Sequence, residues 1–140
     1  MHDENAKKEL EFEAKRHNFV RAAQLAASCG LREEEVQNFR AMALWQMAAV
    51  NRNALGTRIL ADEYGYSKEN VKHILETQLE RSQRNSKPLK SRYDPATGRY
   101  LSFKEWMDLL LKNWNRMVVK NEGNHSYFKR HPRETCRAAR

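Results

Sequence analysis

The chain of 140 residues has few glycines, prolines and cysteines and lacks any long apolar run. Five glycines and three prolines are too few for the many turns of an all-β fold, so the composition favours helices. The two cysteines, Cys29 and Cys136, lie far apart, and we expect no disulfide framework and a reducing, cytoplasmic environment. Because no apolar segment approaches the roughly 20 residues that cross a bilayer, we expect no membrane span.

Signatures of catalysis are also absent from the sequence. The five histidines are scattered, none belongs to a recognisable nucleophile motif, and there is no glycine-rich phosphate loop or dinucleotide fingerprint. His125, His131 and Cys136 could in principle bind zinc, but their spacing fits no familiar ligand pattern and a fourth ligand is missing. We therefore expect a non-enzymatic protein without cofactor or metal.

Charge is distributed unevenly along the chain. Residues 1–80 carry 11 basic and 13 acidic side chains, whereas residues 81–140 carry 15 basic and 5 acidic ones. A basic half of this kind usually contacts a polyanion, most often nucleic acid. The alternative is a solvated basic segment that has no partner.

Apolar periodicity predicts an all-α protein, a compact bundle of about five helices within a domain spanning residues 1–120. The first helix should run from about Asn5 to Cys29 and end at Gly30, and the second should follow Leu31 and extend to about Val50. Two further helices should lie within residues 54–84. Residues 121–140 lack apolar periodicity and are predicted to be a basic, flexible tail.

A short β-hairpin is predicted within residues 90–101, before the last helix. The turn sequence that starts at Asp94 and ends at Gly98 is flanked by Tyr93 and Tyr100. Ser102 and Glu105 have the spacing of a capping box and predict that the last helix covers residues 103–119. We expect its apolar face to pack on the domain, with groove docking or a homodimer as the alternative.

The most informative stretch runs from Thr57 to Glu76 and reads TRILADEYGYSKENVKHILE. It predicts two short helices joined by a tight turn at Gly65, because glycine accepts a positive φ without a Cβ clash. Ser67 stands at the N-cap position of the second helix. Val71, Ile74 and Leu75 would form the inner face of that helix.

Ala61, Gly65, Val71 and Ile74 resemble the pattern of the prokaryotic helix-turn-helix DNA-binding family over these twenty residues. The resemblance implies that the second helix, within a helix-turn-helix spanning residues 54–84, enters the DNA major groove. Its expected contacts to bases and phosphates are Ser67, Lys68, Glu69, Lys72 and His73, with Thr57 and Arg58 meeting the backbone.

The same stretch contains three basic and four acidic side chains, so additional positive charge must come from elsewhere if it binds DNA. The basic linker and tail are the predicted source: Arg81, Arg84, Lys87, Lys90, Arg92, Arg99, Lys129, Arg130 and Arg133. Otherwise the two helices are only a packing motif.

Together these observations predict a DNA-binding regulator or accessory factor of a prokaryote or mobile element. The alternative is a protein-interaction module, such as an inhibitor or assembly factor, whose basic half binds an acidic protein or an RNA-containing surface.

Overall fold

The computed structural model describes residues 2–85 and 89–117, which are mostly helical. These residues form six α-helices and a two-stranded antiparallel hairpin before the last helix, which confirms the predicted class. The helices are α1 (His2–Lys15), α2 (Phe19–Ser28), α3 (Glu33–Trp45), α4 (Ala54–Tyr64), α5 (Lys68–Asn85) and α6 (Phe103–Lys112). The strands are β1 (Arg92–Asp94) and β2 (Arg99–Leu101). None of the helices in this described part of the chain has the length and hydrophobicity of a bilayer-crossing segment.

The chain divides into two compact units at Gln46 and Met47. In the first unit, α2 packs against both α1 and α3. The small side chains on α2 allow this close approach, and Leu31 and Phe39 cover the edge of the core. Its buried apolar cluster consists of Leu10, Ala22, Leu25, Ala26 and Val36.

The predicted first helix is in fact two helices, and this prediction was wrong. His17 adopts a left-handed conformation (φ 60°), and its backbone N–H donates to the Ala14 carbonyl at 3.0 Å while the Asn18 N–H donates to the Glu13 carbonyl at 2.9 Å. This pair of bonds is a Schellman motif, which usually requires glycine or asparagine at the left-handed position. Phe12 lies on α1 two residues after the buried Leu10, about 200° around the helix, and is 56% exposed.

The end of α2 agrees with the sequence in one respect and departs from it in another. Gly30 follows the helix with φ 76°, as expected for a C-terminal stop. Cys29, however, is disulfide-bonded, whereas the sequence predicted a reducing environment and no disulfide framework. The other cysteine, Cys136, lies outside the described residues.

The second unit is built from α4, α5, the hairpin and α6, which a π-helical turn, Gln46–Val50, precedes in the sequence. The last helix contacts both α5 and β2. The buried apolar side chains of this unit include Met47, Ala48, Ala49, Ile59, Leu60, Ala61, Val71, Leu75, Leu101, Phe103, Trp106, Met107, Leu110, Leu111 and Trp114.

The last helix begins as predicted but is shorter than predicted. Ser102 Oγ accepts from the Glu105 N–H at 3.1 Å, and Glu105 Oε1 accepts from the Ser102 N–H at 2.9 Å, so the capping box is complete. The helix ends at Lys112 and is followed by a 3-10 turn, Trp114–Arg116, instead of continuing to 119. Trp114 is buried in that turn, and its carbonyl accepts a hydrogen bond from the Arg58 guanidinium.

Candidate nucleic-acid interface

The turn between α4 and α5 is fixed by backbone hydrogen bonds. Gly65 has φ 75° and ψ 26°, its N–H donates to the Asp62 carbonyl at 3.2 Å, and the Tyr66 N–H donates to the Ala61 carbonyl at 2.9 Å. This is the Schellman arrangement in which glycine is preferred. Three residues, Gly65 to Ser67, separate the two helices, as the sequence predicts.

A reciprocal cap begins α5. Ser67 Oγ accepts from the Asn70 N–H at 3.1 Å, and Asn70 Oδ1 accepts from the Ser67 N–H at 3.0 Å. The predicted N-cap role of Ser67 is therefore confirmed. Because its hydroxyl already accepts a hydrogen bond within the chain, Ser67 serves to position the start of α5.

The two faces of α5 differ sharply in exposure. Val71 and Leu75 are completely buried, whereas Lys72 and His73 are exposed and Lys68 is half-buried. Among the described residues, no ion pair involves these two lysines or His73. The first two turns of α5 thus present polar side chains whose hydrogen-bonding groups are available to a ligand.

Charge alternates along the exposed side of α5. Three exposed carboxylates, Glu69, Glu76 and Glu80, lie between Lys68 at the start of the helix and the exposed Arg81 and Arg84 at its end. Lys72 lies between Glu69 and Glu76, so basic and acidic side chains alternate from the start of the helix to its end. A polyanion lying along α5 would therefore meet carboxylates between the cations.

Two of the predicted backbone contacts are occupied inside the second unit. Thr57 is 0% exposed, and its hydroxyl donates to the Asn53 carbonyl at 2.8 Å. The Arg58 guanidinium pairs with Asp62 at 3.2 Å and lies 4.8 Å from the centroid of the Trp114 ring. Thr57 has no surface to offer DNA, and Arg58 connects α4 to the turn that follows α6.

The two hairpin arginines differ in whether they make hydrogen bonds within the described part of the chain. Arg92 Nη1 donates to the Ala49 carbonyl at 3.3 Å and also to the Val50 carbonyl, so it caps the end of the π-helical turn. Burial lowers the pKa of Arg52, and the nearby positive charge of Arg92 lowers that pKa further. Arg99 and Lys90 remain exposed. Lys87, Lys129, Arg130 and Arg133 lie outside the described residues.

Sequence reasoning did not assign a binding role to Tyr93 and Tyr100, although it placed both in the hairpin. They are 55% and 71% exposed, and their rings make an edge-to-face contact at 5.6 Å. Strand alternation was the signal that could have identified them, because it places both side chains on one face of the hairpin.

The described residues give little indication of a metal site or a small-molecule site. They contain no group of three or more histidine, cysteine, aspartate or glutamate side chains arranged to hold a metal ion. A small apolar cavity of about 190 Å³ lies between the hairpin turn and α6, with Trp106, Leu110 and Met117 among its lining residues. It offers few polar groups to orient a ligand.

Comparison with known proteins adds no relative. No protein-family model matches the chain, and no curated protein or solved structure matches it significantly.

Proposed function

We propose that this protein binds double-stranded DNA through a helix-turn-helix formed by α4 and α5, with α5 as the reading helix. The main support for this proposal is that α5 has one buried apolar face and one exposed polar face. Val71 and Leu75 fix the helix by burial, while Lys72 and His73 extend from the other side. A reading helix requires this division, because one face must pack while the other contacts base edges.

The start of α5 is held in a fixed position relative to α4, as a helix that enters the major groove requires. The Gly65 turn and the Ser67–Asn70 cap fix the first residue of the helix relative to the end of α4. Lys68 and Lys72 are one turn apart, so both can reach the same stretch of DNA. Lysine reads guanine O6 and N7 or neutralises phosphate, and His73 adds a hydrogen-bonding group beside them.

Affinity in this proposal comes mainly from phosphate neutralisation. Two lysines at the start of α5 and two arginines at its end give about four cationic contacts along a helix of about 27 Å at 1.5 Å per residue. Four such contacts predict that the logarithm of the binding constant falls with that of the salt concentration with a slope near −4. The exposed carboxylates between these cations repel phosphates. Binding is therefore restricted to DNA whose phosphates lie next to the lysines at the start of α5 and the arginines at its end.

The test is selection from a pool of random duplex DNA at two salt concentrations, with Lys68, Lys72 and His73 replaced together by alanine. A matched control removes two exposed lysines of α1, as Lys7→Ala with Lys8→Ala, and thus lowers the net charge equally. Enrichment of one motif by the wild type and the control, but not by the triple variant, would support the proposal. If the triple variant enriches the same motif as the wild type, α5 is not the reading helix. If no duplex is bound, a protein partner becomes the better explanation.

A further inference from the structure

The hairpin carries two aromatic side chains on a face that the second unit leaves open. Its register pairs Arg92 with Leu101, Tyr93 with Tyr100 and Asp94 with Arg99. Directly paired residues lie on the same face of a hairpin, and successive residues alternate between faces. Leu101 is 1% exposed, so its face points inward, and the two tyrosines occupy the outward face.

The inward face holds the hairpin firmly. Leu101 is buried, the Arg92 guanidinium binds the carbonyls of Ala49 and Val50, and Ser102 caps α6 directly after β2. Hairpins of this length are marginal alone, so these attachments are what keep the strands in place. The tyrosine pair is therefore presented on a fixed support, which lowers the entropic cost of binding.

The hairpin as a whole carries a net positive charge. Residues 90–101 contain three basic side chains and one acidic one. Lys90 and Arg99 are exposed, although strand alternation places Arg99 with Asp94 on the face opposite the tyrosines. The acidic side chain, Asp94, is half-buried and accepts a hydrogen bond from the Thr97 N–H at 3.0 Å, so its carboxylate is held within the turn.

We infer that Tyr93 and Tyr100 form a stacking platform for unpaired bases of a single-stranded nucleic acid, whose phosphates are attracted by the net positive charge of the hairpin. Aromatic side chains beside cations are the chemistry by which proteins bind single strands without reading their sequence. Duplex DNA offers no equivalent contact, because its base faces are covered by their neighbours. The charge of the hairpin favours this ligand over an apolar or basic peptide.

This inference is separate from the proposed reading of duplex DNA by α5. The variant Lys68→Ala with Lys72→Ala and His73→Ala leaves the hairpin intact and should retain single-strand binding. Replacement of the tyrosines leaves α5 intact and should retain selection of a duplex motif. The two proposals can therefore fail independently, and these variants distinguish which one has failed.

The test measures the fluorescence anisotropy of labelled strands of about 20 nucleotides, longer than a typical single-strand site, with the full-length protein. Tyr93→Val with Tyr100→Val removes both rings but keeps β-branched residues that suit a strand pair. We expect this variant to bind oligo(dT) about 5- to 150-fold more weakly, the range for the loss of one stacked base. The variant Tyr93→Phe with Tyr100→Phe keeps the rings and should stay within about threefold of wild type.

A second comparison uses the wild type alone and so does not depend on the folding of any variant. An abasic strand of the same length keeps the phosphates and lacks the bases, and we expect it to bind at least about tenfold more weakly than oligo(dT). Comparison of oligo(dT) with oligo(U) shows whether the protein prefers DNA or RNA, and binding of either strand supports the inference. Equal binding of abasic strand and oligo(dT), or undiminished binding by the valine variant, would overturn it. So would wild-type protein that captures a proline-rich peptide but no single strand.

Discussion

Gly56 gives the sharpest test of the packing in the second unit, because two physical arguments predict opposite signs for Gly56→Ala. Gly56 lies in the first turn of α4 and is buried. Helix propensity alone favours alanine over glycine by about 1 kcal/mol. A Cβ at this position, however, would lie 2.7 Å from Asn53 Nδ2 and 2.8 Å from both Asn53 Cγ and Met47 Sδ. Atoms cannot approach so closely, so a neighbouring side chain must move.

The cost of that movement follows from what the two neighbours do. Asn53 is the N-cap of α4, and its Oδ1 accepts from the Gly56 N–H at 2.8 Å. Losing such a cap costs about 1 kcal/mol. Met47 is a buried side chain, and overpacking of a core costs about 1–3 kcal/mol. After the propensity gain is subtracted, Gly56→Ala should lower the free energy of unfolding by about 1–3 kcal/mol.

Urea unfolding followed by tryptophan fluorescence measures this change as a lower midpoint at unchanged slope. Asn53→Ala completes a double-mutant cycle, because it removes both the cap and two of the three close atoms. The double variant should therefore lose less stability than the sum of the single variants. A higher midpoint for Gly56→Ala, as propensity alone predicts, would refute the packing argument.

Two further predictions concern the hairpin and the last helix. Arg92→Ala should lower the unfolding free energy by about 1–2 kcal/mol, because two carbonyls lose a charged donor. Arg99→Ala, an exposed change on the same hairpin, should stay within about 0.5 kcal/mol in the same urea assay; equal losses would contradict the anchoring role of Arg92. The pKa of Glu105 is lowered from 4.5, chiefly by the hydrogen bond from the Ser102 backbone. Its contribution to stability is therefore present above pH 4.5 and is lost as the pH falls through the lower folded-state pKa. Glu105→Gln keeps an acceptor that does not titrate, so thermal unfolding from about pH 6 to about pH 2 should show a smaller acid loss; an unchanged pH profile would exclude this contribution.

Features that depend on neighbours within about five residues could be predicted. The left-handed Gly65 ends α4, Ser67 caps α5, and Ser102 with Glu105 begins α6. In each case one side chain or one backbone conformation satisfies orphan groups at a helix end. The hairpin was also predictable, because its turn residues have strong conformational preferences.

The candidate interface was only partly predictable for the same reason. Helical spacing identified Lys72 and His73 as outward-facing, and both are exposed. Thr57 is polar and was expected at the surface, yet it is buried, and its hydroxyl bonds to the carbonyl of Asn53 one turn earlier. The polarity of a residue does not reveal which other parts of the chain pack over it.

The sequence by itself determined the helical class, the ends of α4 and the start of α5, because these depend on local hydrogen bonds and side-chain periodicity. Tertiary structure alone decided which cations remain available. Arg58 donates to a carbonyl 56 residues away, and Arg92 to one 43 residues away. Such contacts form only once the chain has folded, since no local pattern encodes the distance between residues so far apart in the sequence.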